Sequence, residues 1–347
     1  MQPRFHWRLP QGDDRPGDMR DCSAPHLEEQ IPFCRDAERL GFDSLLVDFG
    51  IDKADSIVLS TALGMATSKI RFLIAYRSGL LAPTSFVQQL NTLSSLIDGR
   101  ISLNIVAGST PDEQRAYGDY LEHDDRWART DEFLTIARGI WRDGVVDFDG
   151  AYYRVEQARV RTAYVASDGS RAPQIYVGGA SEGARMVAGK HANCLLLPAD
   201  VPSKIAPRIA PIVARGVEAG LRVMVIARRT HHEAVEAAHA FRDFGPARVH
   251  GSFGSFASRS DSQMVQSAME NSAREWLTPW LWTGAVATQG MMATAIVGSY
   301  DEVATAILEY QAAGITQFIL SGWPKREEMH IFGSEVMGRV LQREAVA

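Results

Sequence analysis

Short apolar runs of β-type composition alternate with helical patterns almost from one end of this 347-residue chain to the other. Eight runs read as strands: Phe5–Leu9, Ser44–Asp48, Ile70–Tyr76, Ile101–Val106, Gln174–Val177, Cys194–Leu197, Val223–Ala227 and Gln317–Leu320. They are continuously hydrophobic rather than alternating, the pattern of strands buried on both faces of a parallel sheet. Helical patterns lie between them, at His26–Leu40, Ala54–Ala66, Thr84–Ile97, Thr130–Trp141, Glu182–Lys190, Pro202–Ala219, His232–Phe241 and Asp301–Ala313. Gly41 and Gly314 suit positions just past helix ends. Ser299-Tyr300-Asp301-Glu302 reads as a helix start with acidic residues in its first turn. The alternation predicts an α/β fold, a (β/α)8 TIM barrel. The rival, a doubly wound dinucleotide fold, is disfavoured because the first strand-to-helix connection, Pro10–Pro25, carries no G-x-G-x-x-G.

Two segments break the repeat, so the expected organisation is one domain over 1–347 with insertions at about 143–173 and 245–292. The first contains VVDFDGAYYRV, a short β excursion, then a polar loop. The second contains HGSFGSFASRSDSQ, rich in Gly and Ser. Long irregular insertions in a barrel serve as active-site lids or as passive surface loops, and the lid is the expectation adopted.

Composition narrows the function. A net charge of −6 and a pI near 5.9 argue against a nucleic-acid protein and against an anionic membrane surface as partner. No apolar run reaches the roughly 18 residues that span a bilayer. The stretch MQPRFHWRLPQGDD has no apolar core of a signal peptide. Three scattered cysteines, Cys22, Cys34 and Cys194, suit reduced thiols. A cytoplasmic protein is expected.

In a barrel of this kind chemistry sits where strands end. The most informative exit is NIVAGSTPDEQRAYGDYLEHDDRW, Asn104–Trp127, where a polar Asn interrupts a buried strand and a charged, aromatic cluster follows. That cluster, His123-Asp124-Asp125-Arg126-Trp127, reads either as a solvated charged turn or as a ligand cap ahead of a helix. Gly178-Gly179-Ala180-Ser181-Glu182-Gly183 follows a strand and opens a helix, so its amides and Ser181 could take a phosphate. Arg222 is either an edge residue or, facing the barrel interior, a fixed cation for an anionic group. Trp323 is either core or pocket wall. His231, His232 and His239 lack H-E-x-x-H spacing, and there is no G-x-S-x-G elbow and no Walker A sequence.

These motifs resemble those of the luciferase-like flavin monooxygenases, and over nearly the whole chain they are closest to the two-component alkanesulfonate monooxygenases. The matching segments are WRLP, Glu38-Arg39-Leu40-Gly41-Phe42, FLIAYRSGLLAPT, Asp98-Gly99-Arg100, NIVAG, LEHDDRW, IYVGGAS and AIVGSYDEVATAILEYQAAGITQFILSGWP. The resemblance implies a TIM barrel with a lid and FMN held by Ala75, Asn104, Ala107, His123, Trp127, Gly179, Ala180, Ser181, Glu182 and Gly183. It implies reduced FMN from a separate NAD(P)H-dependent FMN reductase, O2 as co-substrate, oxidation of a small organic molecule with C–S cleavage in the sulfonate branch, and a homodimer or homotetramer. Family catalytic positions map to Gln11, Lys53, Arg222 and Trp323. Of these, Gln11, Lys53 and Trp323 depart from the family's His, Cys and Tyr. Met224, Lys325 and Gln289 replace further family residues. Trp127 stands where the family has a Tyr, and offers only an indole N–H. With fewer cations in the pocket, a larger and less charged substrate is expected. An F420-dependent oxidoreductase on the same barrel and a non-catalytic flavin-binding relative are the alternatives.

Overall fold

Parallel strands cannot be joined by tight turns, so each must be followed by a return segment long enough to carry the chain back. The computed structural model, which describes residues 2–12, 24–244 and 256–344, obeys this from end to end. Its strands are β1 (Arg4–Arg8), β2 (Ser44–Val47), β3 (Arg71–Tyr76), β4 (Ile101–Ile105), β5 (Val146–Asp149), β6 (Arg154–Ala158), β7 (Gln174–Gly178), β8 (Cys194–Pro198), β9 (Glu218–Arg228), β10 (Leu281–Trp282), β11 (Ala295–Ser299) and β12 (Gln317–Ser321). The helices that bear on the site are α1 (Leu27–Leu40), α2 (Ser56–Met65), α3 (Pro83–Ile97), α4 (Pro111–Ala116), α5 (His123–Asp143), α6 (Glu182–His191), α7 (Pro202–Val213) and α8 (His231–Phe244).

Among the described residues, strands β1, β2, β3, β4, β7, β8, β9 and β12 pair in parallel in that order, and β12 returns to β1 with Phe5 opposite Phe318. The ring is closed, so the expected (β/α)8 barrel is present, with all eight expected strands. No helix among the described residues is long and apolar enough to cross a membrane.

The odd residues of β9, Ala219 to Ala227, face the helices and join the main core with Phe72, Leu103, Val177 and Phe318. Inside the barrel the floor is polar. His6 lies 2.7 Å from the Ser44 hydroxyl and 2.9 Å from the Gln317 carbonyl, which also accepts from the Tyr176 hydroxyl at 2.7 Å. The Gln317 amide donates to Glu218 at 2.7 Å, and Glu218 pairs with Arg4 at 2.6 Å. Burial depresses the His6 imidazole, so it sits neutral among these partners. Above this plug, Leu46, Leu73, Leu196 and Ile319 fill the bore.

Four details depart from the sequence reading. The helix expected to run to Ala219 ends at Val213, because Gly216 (φ +80°) turns the chain and Glu218 already pairs with β8. The strand expected at Val223–Ala227 therefore starts five residues earlier, at Glu218. The helix expected from Thr130 begins at His123, so the charged cluster is its first turn and not a loop. Finally, β10 and β11 were not expected. Strand β8 ends opposite Arg222, and β11 takes over the same edge of β9 from Met224 onward.

The two insertions behave differently. The 143–173 segment forms the β5–β6 hairpin, whose Val146, Phe148, Tyr153 and Val155 pack on Ile136, Ala137 and Ile140 of α5. It then runs to the base of the barrel, where Asp168 meets Arg71 at the start of β3. The 245–292 segment, described from 256 onward, builds a second core. Val265, Ala268, Trp282 and Val286 pack there on Met224, Ile226 and Phe241. Tyr76, Phe86 and Phe133 join β3, α3 and α5 through ring contacts of 4.4 and 5.0 Å. They anchor the start of α5 over the strand exits.

Below the exits of β9 and β12, Glu328 is buried and pairs with Arg228 at 2.6 Å. Burial outweighs the guanidinium and pushes the carboxyl up to about 7. The folded protein thus favours the protonated acid. Stability from this group is full below its unfolded value of 4.5 and is lost as pH rises through about 7. Glu328→Gln is expected to remove that slope. Wild type should lose up to roughly 3 kcal/mol relative to the variant across this window. Urea unfolding of both proteins from acidic to neutral pH measures the difference, and parallel stability curves would refute it.

Candidate active site at the strand exits

Helix α5 organises the exits because side chains of its first two turns bind three different strand ends. Arg126 donates to the Ala107 carbonyl beyond β4 at 2.9 Å and to Leu121 at 2.9 Å. The Trp127 ring packs on the loop after β7. A Cβ on Gly179 would lie 3.1 Å from that indole, and one on Gly183 would lie 2.9 Å from it. Arg129 donates to the Ser78 carbonyl beyond β3 at 2.9 Å, and the Thr130 hydroxyl lies 2.6 Å from that of Ser78. Glycine at 179 and 183 is thus required by the indole as much as by any ligand.

The sequence-predicted cofactor residues gather around this helix. Ala75 faces the bore directly opposite Asn104 in register, and its carbonyl accepts from Ser56 at 2.8 Å. The Asn104 side-chain oxygen is buried with no hydrogen-bond partner. It points toward Gly178, where an added Cβ would stand 3.2 Å away. Ser181 caps α6, its hydroxyl oxygen accepting from Ala184 at 3.2 Å. The hydroxyl proton stays available, as do the first-turn amides of Glu182 and Gly183, which no helical carbonyl can reach. The Glu182 side chain is exposed, so only its amide can serve the site. His123 is half-buried and accepts the Trp127 indole N–H at 3.3 Å. The indole N–H, the one polar donor Trp127 has, is therefore already committed.

The expected catalytic residues form a neighbouring group at β1, β2, β9 and β12. Arg222 lies in the middle of β9 and points into the barrel, donating to the Ser321 hydroxyl at 3.0 Å and to the Ile319 carbonyl at 3.3 Å. Arg8 forms an ion pair with Asp48. Burial would raise the Asp48 carboxyl, but Arg8 and Arg222 outweigh it and hold it below its ordinary range. Lys53 is half-buried and adds to the same field. Gln11 is 1 % exposed and spends its amide on the chain after β2, accepting the Asp48 N–H at 3.0 Å. Trp323 is half-buried, its ring 5.4 Å from Phe241 at the border of the second core. It stands as a wall between barrel mouth and insertion.

Sequence reasoning missed Arg8 and Asp48, although a charge at the end of each buried strand was the available signal. It also missed Arg185, whose guanidinium donates to the Ala180 carbonyl at 2.6 Å and places a positive charge beside the glycine loop.

The second insertion reaches this site. Asp261 pairs with the buried Arg126 at 2.6 Å, and the Ser260 hydroxyl donates to Ser109 at 2.5 Å. Asp261→Asn should weaken this clasp by about 1–2 kcal/mol. Amide exchange over 256–271 should then quicken while β4 and α5 keep their protection. Unchanged exchange in that segment would refute the clasp.

A family model described as luciferase-like monooxygenase matches residues 5–317. Solved structures share the fold. A riboflavin lyase (RcaE), solved with modified FMN and riboflavin, superposes with a TM-score of 0.78 at 20 % identity, covering 99 % of this chain and 92 % of that one. An EDTA monooxygenase (EmoA) from Chelativorans sp. BNC1 gives 0.78 at 15 %, covering 99 % and 94 %. An F420-dependent secondary alcohol dehydrogenase gives 0.70 at 18 %, covering 98 % and 99 %.

Proposed function

The chain belongs to the luciferase-like monooxygenase family, and from that premise we propose that it is a reduced-FMN-dependent monooxygenase acting on a small organic molecule. The observation that carries this reading is the buried, unpartnered Asn104 oxygen at the β4 exit. A buried acceptor without a donor is costly, and a flavin ring edge bearing N–H groups would satisfy it. The α6 amides, the Ser181 hydroxyl and Arg185 fit a phosphate at the other end of the same cofactor. FMN in its reduced form supplies the electrons that let O2 deliver one oxygen atom to the substrate.

The chain's own residues do the remaining work. Ala75, small and level with Asn104 in the bore, leaves room there for the flavin. The 256–262 segment, tied to Arg126 and Ser109, keeps water from the β4 exit. Arg222 offers a fixed cation to a polar group on the substrate, while Asp48 offsets the charge of Arg8. That balance, with the bulk of Trp323 and Met224, supports a substrate larger and less charged than a simple alkanesulfonate. A separate NAD(P)H-dependent FMN reductase as electron donor and a homodimer or homotetramer complete the proposal.

The test is an anaerobic titration with reduced FMN, oxidised FMN and F420, followed by admission of O2. Reduced FMN should bind most tightly, and Asn104→Ala should weaken it roughly tenfold. Preference for F420 would turn the assignment toward a dehydrogenase or reductase. Flavin binding that Asn104→Ala leaves unchanged would remove the observation on which the reading rests.

A further inference from the structure

A second polar cavity lies between the β3 exit and α4, on the other side of the β4 exit from the glycine loop. Its volume is about 50 Å³, and its lining includes Arg77, Gln114, Arg129, Tyr117 and Asp119. Several times the space of one water is enclosed.

The lining is unusual in its hydrogen-bond inventory. Arg77 is 7 % exposed and Gln114 is 2 % exposed. The Nε and Nη1 groups of Arg77, the Nε2 of Gln114 and the Nε of Arg129 are all buried without an acceptor. The acceptors nearby are already engaged. Glu113 takes the third Arg77 nitrogen at 2.7 Å, and Asp119 holds Arg129 through both oxygens, at 3.1 and 2.5 Å. Phe49 and Tyr117 lie 5.0 and 5.8 Å from the Arg77 guanidinium and keep it in place.

Two glycines bring these donors in. Gly79 has φ +98°, and a Cβ there would collide with the Arg129 guanidinium at 2.4 Å. Gly108 has φ +89°, and a Cβ there would meet the Gln114 amide nitrogen at 2.0 Å. Both positions need a backbone that side chains rarely adopt and both need the missing Cβ, so the donor cluster is built into the chain.

Water answers such a cluster poorly, since it brings protons that themselves need acceptors. A group that only accepts answers it well, and guanidinium donors match planar oxyanions in geometry. We propose that the Arg77–Gln114–Arg129 cavity is a binding site for a small oxyanion of carboxylate, bicarbonate or nitrate size. Bound there, the ion bridges the β3 exit and α4 and, through the Gln114–Gly108 contact, stiffens the chain just beyond Ala107. The site is separate from the flavin pocket and is tested without flavin.

The experiment follows thermal unfolding and calorimetric binding of the flavin-free protein titrated with formate, bicarbonate and nitrate in a buffer lacking other small oxyanions. Wild type should gain stability saturably with concentration, as expected of a ligand that binds only the folded state. Arg77→Met should weaken binding roughly tenfold or more. Because that change strands Glu113, Gln114→Glu is the decisive variant. It keeps the side chain's volume, supplies the orphaned donors with an acceptor, and sets a negative charge where the anion would sit. It should fold at least as stably as wild type yet lose the anion response at the same salt concentration. No saturable binding by wild type, or an equal response in Gln114→Glu, overturns the proposal.

Discussion

The return of the last strand to the first is the constraint on which everything else in this protein depends. A parallel sheet left open would expose two edges of unpaired backbone. Closure through β12 and β1 removes them, with Gln317 as the side-chain counterpart of the backbone seam. One amide accepts from β1 and β7 and donates to β9, so four strands converge on a single buried residue. Such a plug is stable only when each member is satisfied, since a half-satisfied buried network costs more than an apolar one. With the floor sealed, side chains at the opposite end of the bore are the ones free to meet a ligand.

At that opposite end the strands are held by a helix rather than by one another. Arg126, Trp127, Arg129 and Thr130 occupy adjacent turns of α5 and grip the exits of β4, β7 and β3. Their spacing of one, two and one residues sets all four on one broad face of the helix, which is why one element can serve three neighbouring loops. The same helix fastens the second insertion through Arg126 and Asp261. Order at the site is thus inherited from aromatic packing deeper in the molecule, where Phe86 and Phe133 set α5 against β3 and α3. The donor-rich cavity beside Arg77 belongs to this construction, because Arg129 faces it from the same helix.

The two charged groups at the barrel mouth divide the work between them. Arg8, Arg222 and Lys53 all act on the Asp48 carboxylate. Arg77 and Arg129, although also at strand exits, pair with Glu113 and Asp119 and turn their remaining donors to a different space. Counting cations in the sequence could not separate these groups, since Arg8, Arg77 and Arg222 all lie in or next to a strand.

The sequence by itself determined the architecture, because burial on both faces leaves an unmistakable mark: continuous apolar runs with helical patterns between them. The helix start at Ser299 and the glycine loop at the head of α6 were legible for the same local reason. Asn104 stood out as a polar residue in a buried strand. What only the tertiary structure decided is where side chains point and what they already hold. Arg222 lay at the start of an apolar run, and its inward direction follows from β9 beginning at Glu218, a register set by pairing with β8. Trp127 had only an indole N–H to offer a ligand, and that N–H is taken by His123, one helical turn away. Gln11, a family catalytic position, also braces the β2 exit through the Asp48 N–H. Hydrogen-bond partners distant in the chain are fixed by how strands and helices are brought together, and no local pattern of residues encodes them.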